Sequence, residues 1–600
     1  MESRRNLGVA VAVVLAFASW GVGAAAGAPA ARNVITYAEA PGASPNYIFP
    51  FASCQYYSSS NMNQFQMLMY RPLYWFGLGG SPSLVPSLSL AEVPRFTNGD
   101  RTVTISLKGW RFADGQIVNA RSVLFFLNMY RADPTAFCGY NAGFGIPDQV
   151  RNAAGTGDTV QINFATPVNP NWMLDNYLSE ITPLPDVWDR TSPTRGARCA
   201  SGVFGAASTK AACTAVAKYL SSVASDTATF TKPLWQSGVD GPWRLTAFDH
   251  LGNATFQPNP RYSGPQKAQV TMVKERAYTS DLAEETDLRA GRLSIGYLDP
   301  SVLESPALAT GRPGPNWSPL DGHYTMTVGA TWSFNFAALN FSTADPKSAA
   351  INQLYIRQAL QMLIDQGTLI EVTFKGYGSP VYSPLPPQIP RQLAAPVANP
   401  YPFNPTAAQS LFATHGWTVE GGALTCVSPG TGTGQCGPGI SAGYTLSFNV
   451  VIAAGSATLS QAIAAEAANW RAFGIGVTVL TASLSNVLSD CTGGSGFEIC
   501  EWGTGWTYEP GNYPSGEALF TPGGGSNIGT YNDPAMTALI SASTQGSGSL
   551  AAYADYAAKQ LPVLYQPQPM AIQETIRGLK STVGLTPNPL GNFMPEYFHF

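Results

Sequence analysis

Val103, Ile105 and Leu107 alternate with Thr102, Thr104 and Ser106, the period of a strand with one buried face. After the turn GWRFADG the apolar spacing changes. Val123, Phe126, Leu127 and Tyr130 share one helical stripe, which predicts a helix starting near Asn119 and ending at Asp133-Pro134. Alternation returns at Trp243, Leu245 and Ala247, and residues 249–253 supply a hairpin-like turn. WSFNFAALNF is a further strand candidate, and AAINQLYIRQALQMLIDQGTLI has helical period, with Ile351, Leu354, Leu360, Leu363 and Ile364 near one face. KGYGSPVYSPLPPQIP fits neither period. Its prolines remove backbone donors and fix φ, so an extended loop is expected.

The clearest unit lies in the C-terminal half. YTLSFNVVI sets Tyr444, Leu446, Phe448, Val450 and Ile452 on one face, and ATLSQAIAAEAANWRAF places Leu459, Ile463, Ala467 and Trp470 at helical spacing. GIGVTVL follows as a short strand, Ile475 to Leu480. Strand, helix and strand of these lengths predict a βαβ crossover with two parallel strands. Ligands of such open sheets sit beyond the carboxyl ends of the strands. The loop EICEWGTGWTYEPGNYP, residues 498–514, comes shortly afterwards.

Six hundred residues exceed one ordinary core, so two or more lobes are expected. The first 30 residues have the form of an export signal: Arg4 and Arg5, an apolar run from Val9 to Val22, then small residues. The formal net charge is −4 and no basic cluster follows that segment, which argues against a nucleic-acid partner. Export permits disulfides, and the chain has eight cysteines. Eight allow about 105 connectivities. Nearest neighbours suggest Cys199–Cys213, Cys426–Cys436 and Cys491–Cys500, leaving Cys54–Cys138. RCASGVFGAASTKAAC is then expected as a disulfide-closed loop.

Several chemistries are missing. The four histidines, His250, His323, His415 and His599, are scattered, and no H-E-x-x-H or Walker loop occurs, so neither a metal nor a cofactor is expected. Glu284-Glu285, Glu498 with Glu501, and Glu509 could supply a carboxylate pair for a secreted glycosidase. Glu284 and Glu285 are otherwise expected on a solvated helix face. What stands out instead is aromatic surface on loops. Trp502, Trp506, Tyr508 and Tyr513 share one glycine-rich stretch, and Tyr56 and Tyr57 follow Cys54. Such rings give large contact area at low entropic cost.

Four stretches, in order, carry a family resemblance. They are TVTISLKGWRFADGQIVNARSVLFFL (residues 102–127), SGVDGPWRLTAFDHLGNATFQPNPRYSG (237–264), IRQALQMLIDQGTLIEVTFKGYGSPVYSPLPP (356–387) and FNPTAAQSLFATHGW (403–417). In these the chain resembles the extracytoplasmic solute-binding proteins of ABC importers, in the peptide/nickel-type group, family 5. The resemblance implies an α/β, two-lobed periplasmic-binding-protein-like fold of type II kind, with mixed sheets and a hinge. It implies lobe I over residues 31–336 with an inserted subdomain at about 76–236, lobe II over 337–568, and a return to lobe I over 569–600.

It further implies a monomeric, non-catalytic protein outside the cytoplasm that captures a small-molecule or oligopeptide ligand for permease subunits. The cleft would use Trp502, Trp506, Tyr508 and Glu509 from one lobe and Tyr56 and Tyr57 from the other. Peptide binders of the family carry, in the loop matching residues 498–514, an aspartate that pairs with the ligand's ammonium. Here residues 505–509 are Gly, Trp, Thr, Tyr and Glu, with no aspartate. Glu509 or Glu501 would have to substitute, or the solute is an oligosaccharide or another non-peptide ligand.

Overall fold

The computed structural model describes residues 33–303, 319–320, 322–342, 346–389, 394–492, 497–508, 512–585 and 591–600. The expected export signal and Glu509 lie outside them. Within them the chain is two-lobed α/β, organised by three larger sheets. A seven-stranded sheet runs Tyr324–Gly329, Ala571–Ile576, Ile295–Tyr297, Val34–Ala38, Met272–Arg276, Ala254–Pro258 and Trp243–Phe248. Val34–Ala38 pairs in parallel with both of its neighbours, and the remaining pairs are antiparallel. The period-2 segment at 243 forms its edge, and Asp249 accepts from the amides of Leu251 and Asn253 to turn the hairpin.

A second, five-stranded sheet runs Gly476–Ala482, Ser447–Ala453, Ile499–Glu501, Phe336–Leu339 and Val563–Tyr565. The expected βαβ unit is its centre. Ser447–Ala453 pairs in parallel with Gly476–Ala482, and helix Ala457–Ala472 connects them, buried along Leu459, Ile463, Ala467 and Trp470. Ser456 caps that helix by accepting from the Leu459 amide, one of the donors a helix start leaves unpaired.

The third sheet is four-stranded and antiparallel, in the order Arg95–Thr97, Thr102–Ser106, Thr159–Phe164 and Val150–Thr156. Helix Ala120–Ala132 packs on it and starts where its sequence predicts, with the Asn119 side chain accepting from the Arg121 amide. Nearby Phe49, Tyr70, Trp188 and Trp235 meet in edge-to-face and tilted contacts 5.3–5.9 Å apart. Such pairs add to simple burial.

All four expected disulfides form: Cys54–Cys138, Cys199–Cys213, Cys426–Cys436 and Cys491–Cys500. Three sequence expectations need correction. The segment between Cys199 and Cys213 is not all loop, because helix Ala207–Ala224 begins inside it and presents Cys213 on its buried face. The continuous helix expected over 349–370 is broken into Pro346–Ile351, Leu354–Met362 and Gln366–Thr368. Asp365 caps the last piece by accepting from the Thr368 amide, which competes with helix continuation. Glu284 and Glu285 do not face solvent. Helix Asp281–Arg289 packs them inward, 1% and 8% exposed, where Glu284 accepts from the Tyr297 amide and Glu285 pairs with Arg289.

Candidate functional site

Two strand connections join the seven- and five-stranded sheets. Tyr324–Gly329 leads toward Phe336–Leu339, and Val563–Tyr565 leads back to Ala571–Ile576. They lie side by side where they cross: the Gln566 amide donates to Asn335 O, and Asn335 Nδ2 donates to Pro567 O, both at 3.1 Å. The aromatic loop is pinned onto this crossing. Trp506–Thr507 pairs antiparallel with Ser333–Phe334, the Tyr508 amide donates to Trp332 O, and Trp332 Nε1 donates to Asn512 O. Gly505 makes the close approach possible. It has φ +61°, and a Cβ there would strike the Phe334 carbonyl.

Beyond the crossing, the subdomain of the four-stranded sheet and the five-stranded lobe enclose a cavity of about 490 Å³. Tyr57, Gly139, Asn141, Asn176 and Glu180 wall it from one side, and Trp506, Tyr508, Tyr513 and Glu517 from the other. A second cavity of about 440 Å³ shares Tyr57 and Glu180 and runs on between Met62, Tyr70 and Phe137. The walls are tied together by hydrogen bonds. Asn176 exchanges bonds with the Tyr513 backbone at 2.8 and 2.9 Å. The Gly525 amide donates to Asn141 Oδ1 at 3.1 Å. Glu517 starts a short helix after Gly516, and its carboxylate accepts from Trp172 Nε1 (2.7 Å), Asn176 Nδ2 (2.9 Å) and Ser515 Oγ.

The expected site residues divide. Tyr57, Trp506 and Tyr508 line the cavity, though the Tyr508 hydroxyl is engaged, donating to Pro384 O at 2.6 Å. Trp502 does not line it. Its Nε1 donates to Gly505 O at 2.7 Å and its ring meets Phe336 edge-on at 5.3 Å, so it braces the loop. Tyr56 does not line it either, being stacked on Tyr47 at 4.3 Å. Sequence reasoning missed Glu180, Glu517, Asn141 and Asn176. The one signal for Glu180 is a lone acid inside an otherwise apolar stretch, NYLSEITPLP.

Of the carboxylates considered for glycoside hydrolysis, those among the described residues sit in cores. Glu501 is 1% exposed at a strand end, Glu498 accepts from the Asn449 amide and pairs with Lys347, and Glu284 is bound as described above. Among the described residues no group of three or more His, Cys, Asp or Glu side chains could hold a metal ion. Among them, too, no helix is long and apolar enough to cross a membrane.

A second contact between the two large sheets holds them together on another edge. Asp299, following Ile295–Tyr297, accepts from Ser456 Oγ at 2.9 Å and from Thr458 Oγ1, at the start of helix Ala457–Ala472. Burial raises its carboxyl, but hydrogen bonds from Ser301, Thr458 and Ser456 outweigh that and hold it below the usual carboxylate range. Asp299→Ala removes charge-assisted bonds of about 1.5–3 kcal/mol each. The ligand-free protein is therefore expected to open, with a larger radius of gyration in small-angle X-ray scattering. An unchanged scattering curve would show that the latch is not needed for closure.

Comparison with known proteins follows the same outline. The model of the bacterial extracellular solute-binding proteins, family 5, matches residues 86–526. The oligopeptide-binding protein AppA of Bacillus subtilis, solved with a nonapeptide, superposes with a TM-score of 0.69 at 15% identity, covering 94% of this chain and 98% of that one. NikZ of Campylobacter jejuni, solved with Ni(L-His), gives 0.68 at 13% identity over 95% of this chain and 100% of its own. The murein tripeptide binding protein MppA of Escherichia coli gives 0.68 at 16% identity over 95% and 99%. At these identities the likeness establishes the fold. Protein XP55 of Streptomyces lividans is 28% identical over 146 residues, so the match spans about a quarter (24%) of that curated relative's length.

Proposed function

Because this chain belongs to the bacterial extracellular solute-binding proteins of family 5, whose model covers residues 86–526, we propose that it captures a peptide or peptide-like solute between its lobes and delivers it to an ABC permease. The observation that carries this reading is the cavity walled from both sides, with Tyr57 on one wall and Trp506, Tyr508 and Tyr513 on the other. A ligand touching both walls favours the closed arrangement over the open one, and that difference in affinity drives the population shift. The crossing at Asn335 and Gln566 is the hinge, in keeping with lobes divided at 336/337 and 568/569 and a subdomain at 76–236. The protein acts as a monomer without catalysis, after loss of residues 1–30 or held at the membrane by them.

The test is a thermal-stability titration of the purified protein with short peptides, alongside native mass spectrometry of whatever copurifies. A bound peptide should stabilise by RT ln(1 + [L]/Kd), about 2.7 kcal/mol at a hundredfold excess over Kd, with the peptide recovered intact. Recovery of an oligosaccharide, with no response to peptides, would replace the solute class. Turnover of the ligand would refute a purely binding role.

Trp506 is the aromatic whose removal should matter most to capture. Trp506→Ala is expected to abolish peptide-dependent stabilisation while leaving the melting temperature of the empty protein nearly unchanged, because the ring is only half-buried. A loss of about 3–5 kcal/mol in the empty protein would instead assign the indole to the core.

A further inference from the structure

Glu180 belongs to both cavities, and its surroundings are unusual for a carboxyl. Oε2 is shut off from solvent and has no hydrogen-bond partner among the described residues. Gly139 supplies the space in which that oxygen lies, since a Cβ there would collide with it. Among the described residues no Lys, Arg or His side chain lines either cavity. The other acid on the wall, Glu517, is already satisfied by Trp172, Asn176 and Ser515. Six rings stand among the remaining lining residues: Tyr57, Tyr70 and Phe137 on one side, Trp506, Tyr508 and Tyr513 on the other. A carboxyl with one oxygen shut off from solvent and no counter-charge, beside ring faces, is poorly matched to an empty site or to an anionic ligand group. It is well matched to a cation with an apolar body, which pairs with the carboxylate and rests on the rings.

We propose that Glu180, with the aromatic walls around it, forms the binding site for a protonated amine of the ligand, with the carboxylate as its counter-ion. The inference rests on the cleft-binding reading and narrows it to ligands carrying an ammonium group. Burial, and then the neighbouring Glu517 carboxylate, push the Glu180 carboxyl well above its ordinary range in the empty protein. Binding of an ammonium therefore displaces a proton from Glu180 and leaves a paired, desolvated ion pair in its place. Trp506 supplies a ring to the same ligand from the loop that carries no aspartate.

The test uses the purified full chain, isothermal titration calorimetry and three probes: Ala-Phe-Ala, its N-acetyl form, and phenethylamine. Acetylation should weaken tripeptide binding by at least about 30-fold, the low end for removing one partner of a buried charge pair. Glu180→Gln should erase that difference, and the melting temperature of the empty variant should not fall, because the glutamine replaces a carboxyl that already holds its proton. Glu180→Asp should retain the preference for the free amine at reduced strength. Equal binding of the free and acetylated tripeptide would overturn the inference while leaving peptide capture standing. So would an amine preference that survives in Glu180→Gln. Glu180-dependent binding of phenethylamine with no response to either peptide would sustain the ammonium site and remove the peptide reading. Failure of all three probes to bind the wild-type protein would overturn the site.

Discussion

Glu596→Ala is expected to cost about 3–5 kcal/mol of stability. Glu596 stands in the last turn of the chain and pairs with Arg71 at 2.5 Å, the two side chains being 0% and 1% exposed. The Arg71 guanidinium also lies over the Trp75 ring at 3.9 Å, and Trp243 Nε1 donates to the other Glu596 oxygen at 3.4 Å. Among the described residues Nε and Nη1 of Arg71 have no hydrogen-bond partner, so deleting Glu596 leaves a buried cation without its carboxylate. The whole penalty of desolvating that charge then appears in the folded state. Urea denaturation followed by tryptophan fluorescence measures the loss. The double variant Arg71→Met with Glu596→Leu should recover most of it, since a well-packed apolar pair avoids desolvating either charge. A loss below about 1 kcal/mol from the single change would mean that water reaches the arginine. The pair fastens the C-terminal segment to the lobe containing the seven-stranded sheet, so truncation before Glu596 should cost at least as much.

The protein should be more stable at mildly acidic than at alkaline pH. Glu466, on the buried face of helix Ala457–Ala472, and Glu501, at the end of strand Ile499–Glu501, are 2% and 1% exposed. Burial pushes both carboxyls from 4.5 to about 8, and Glu466 raises Glu501 further, while bonds from Gln566 and from the Gly503 amide only partly offset this. Neighbouring groups of this kind titrate as a pair. The sign follows from proton counting. Between 4.5 and about 8 the folded chain holds protons that the unfolded chain has released. Stability is therefore fully present below that window and falls as pH rises through it, by up to ~1.4 kcal/mol per pH unit for each group.

Glu39 and Glu275, buried beside each other in the seven-stranded sheet, are raised by burial and act in the same direction. Asp299, held below its usual range, opposes the trend only at acid pH. The urea midpoint should thus be higher at about pH 5.5 than at about pH 8.5. Glu501→Gln should flatten the slope and stabilise the protein at the alkaline end. A midpoint that rises or stays level over this range would refute neutral buried carboxyls.

Much of the fold was legible locally. The strand at Thr102–Ser106, the helix capped by Asn119 and the βαβ unit from Ser447 to Ala482 all bury the apolar positions whose spacing predicted them, and packing against a core imposes such a period on the sequence. The three short-range disulfides followed from proximity along the chain, and the fourth from the cysteines left over. Periodicity failed at Glu284 and Glu285, because polarity at a helical position reports preference for water and not what the helix packs against. It failed again over 349–370, where the Asp365 side chain starts a new turn inside a continuing apolar pattern.

The site divides along the same line. The aromatic loop announced itself, since Trp506 and Tyr508 sit among glycines and prolines that no long helix or strand would keep. Its neighbour Trp502 has the same local signature, yet it braces the loop against Phe336, while Trp506 itself lies in a two-residue strand paired with Ser333–Phe334. Glu180 and Glu517 carry no mark of their own. One is a lone acid in an apolar run, the other the first residue of a four-residue helix. By itself the sequence determined the elements, their order, the disulfides and the family, because these rest on short-range pattern and on motifs in register. Only the tertiary structure decided which acids are sealed in cores, which rings face the cavity and which carboxyl waits there without a partner. Burial and pairing depend on chain segments that pattern does not connect and that closure of the two lobes brings within hydrogen-bond reach.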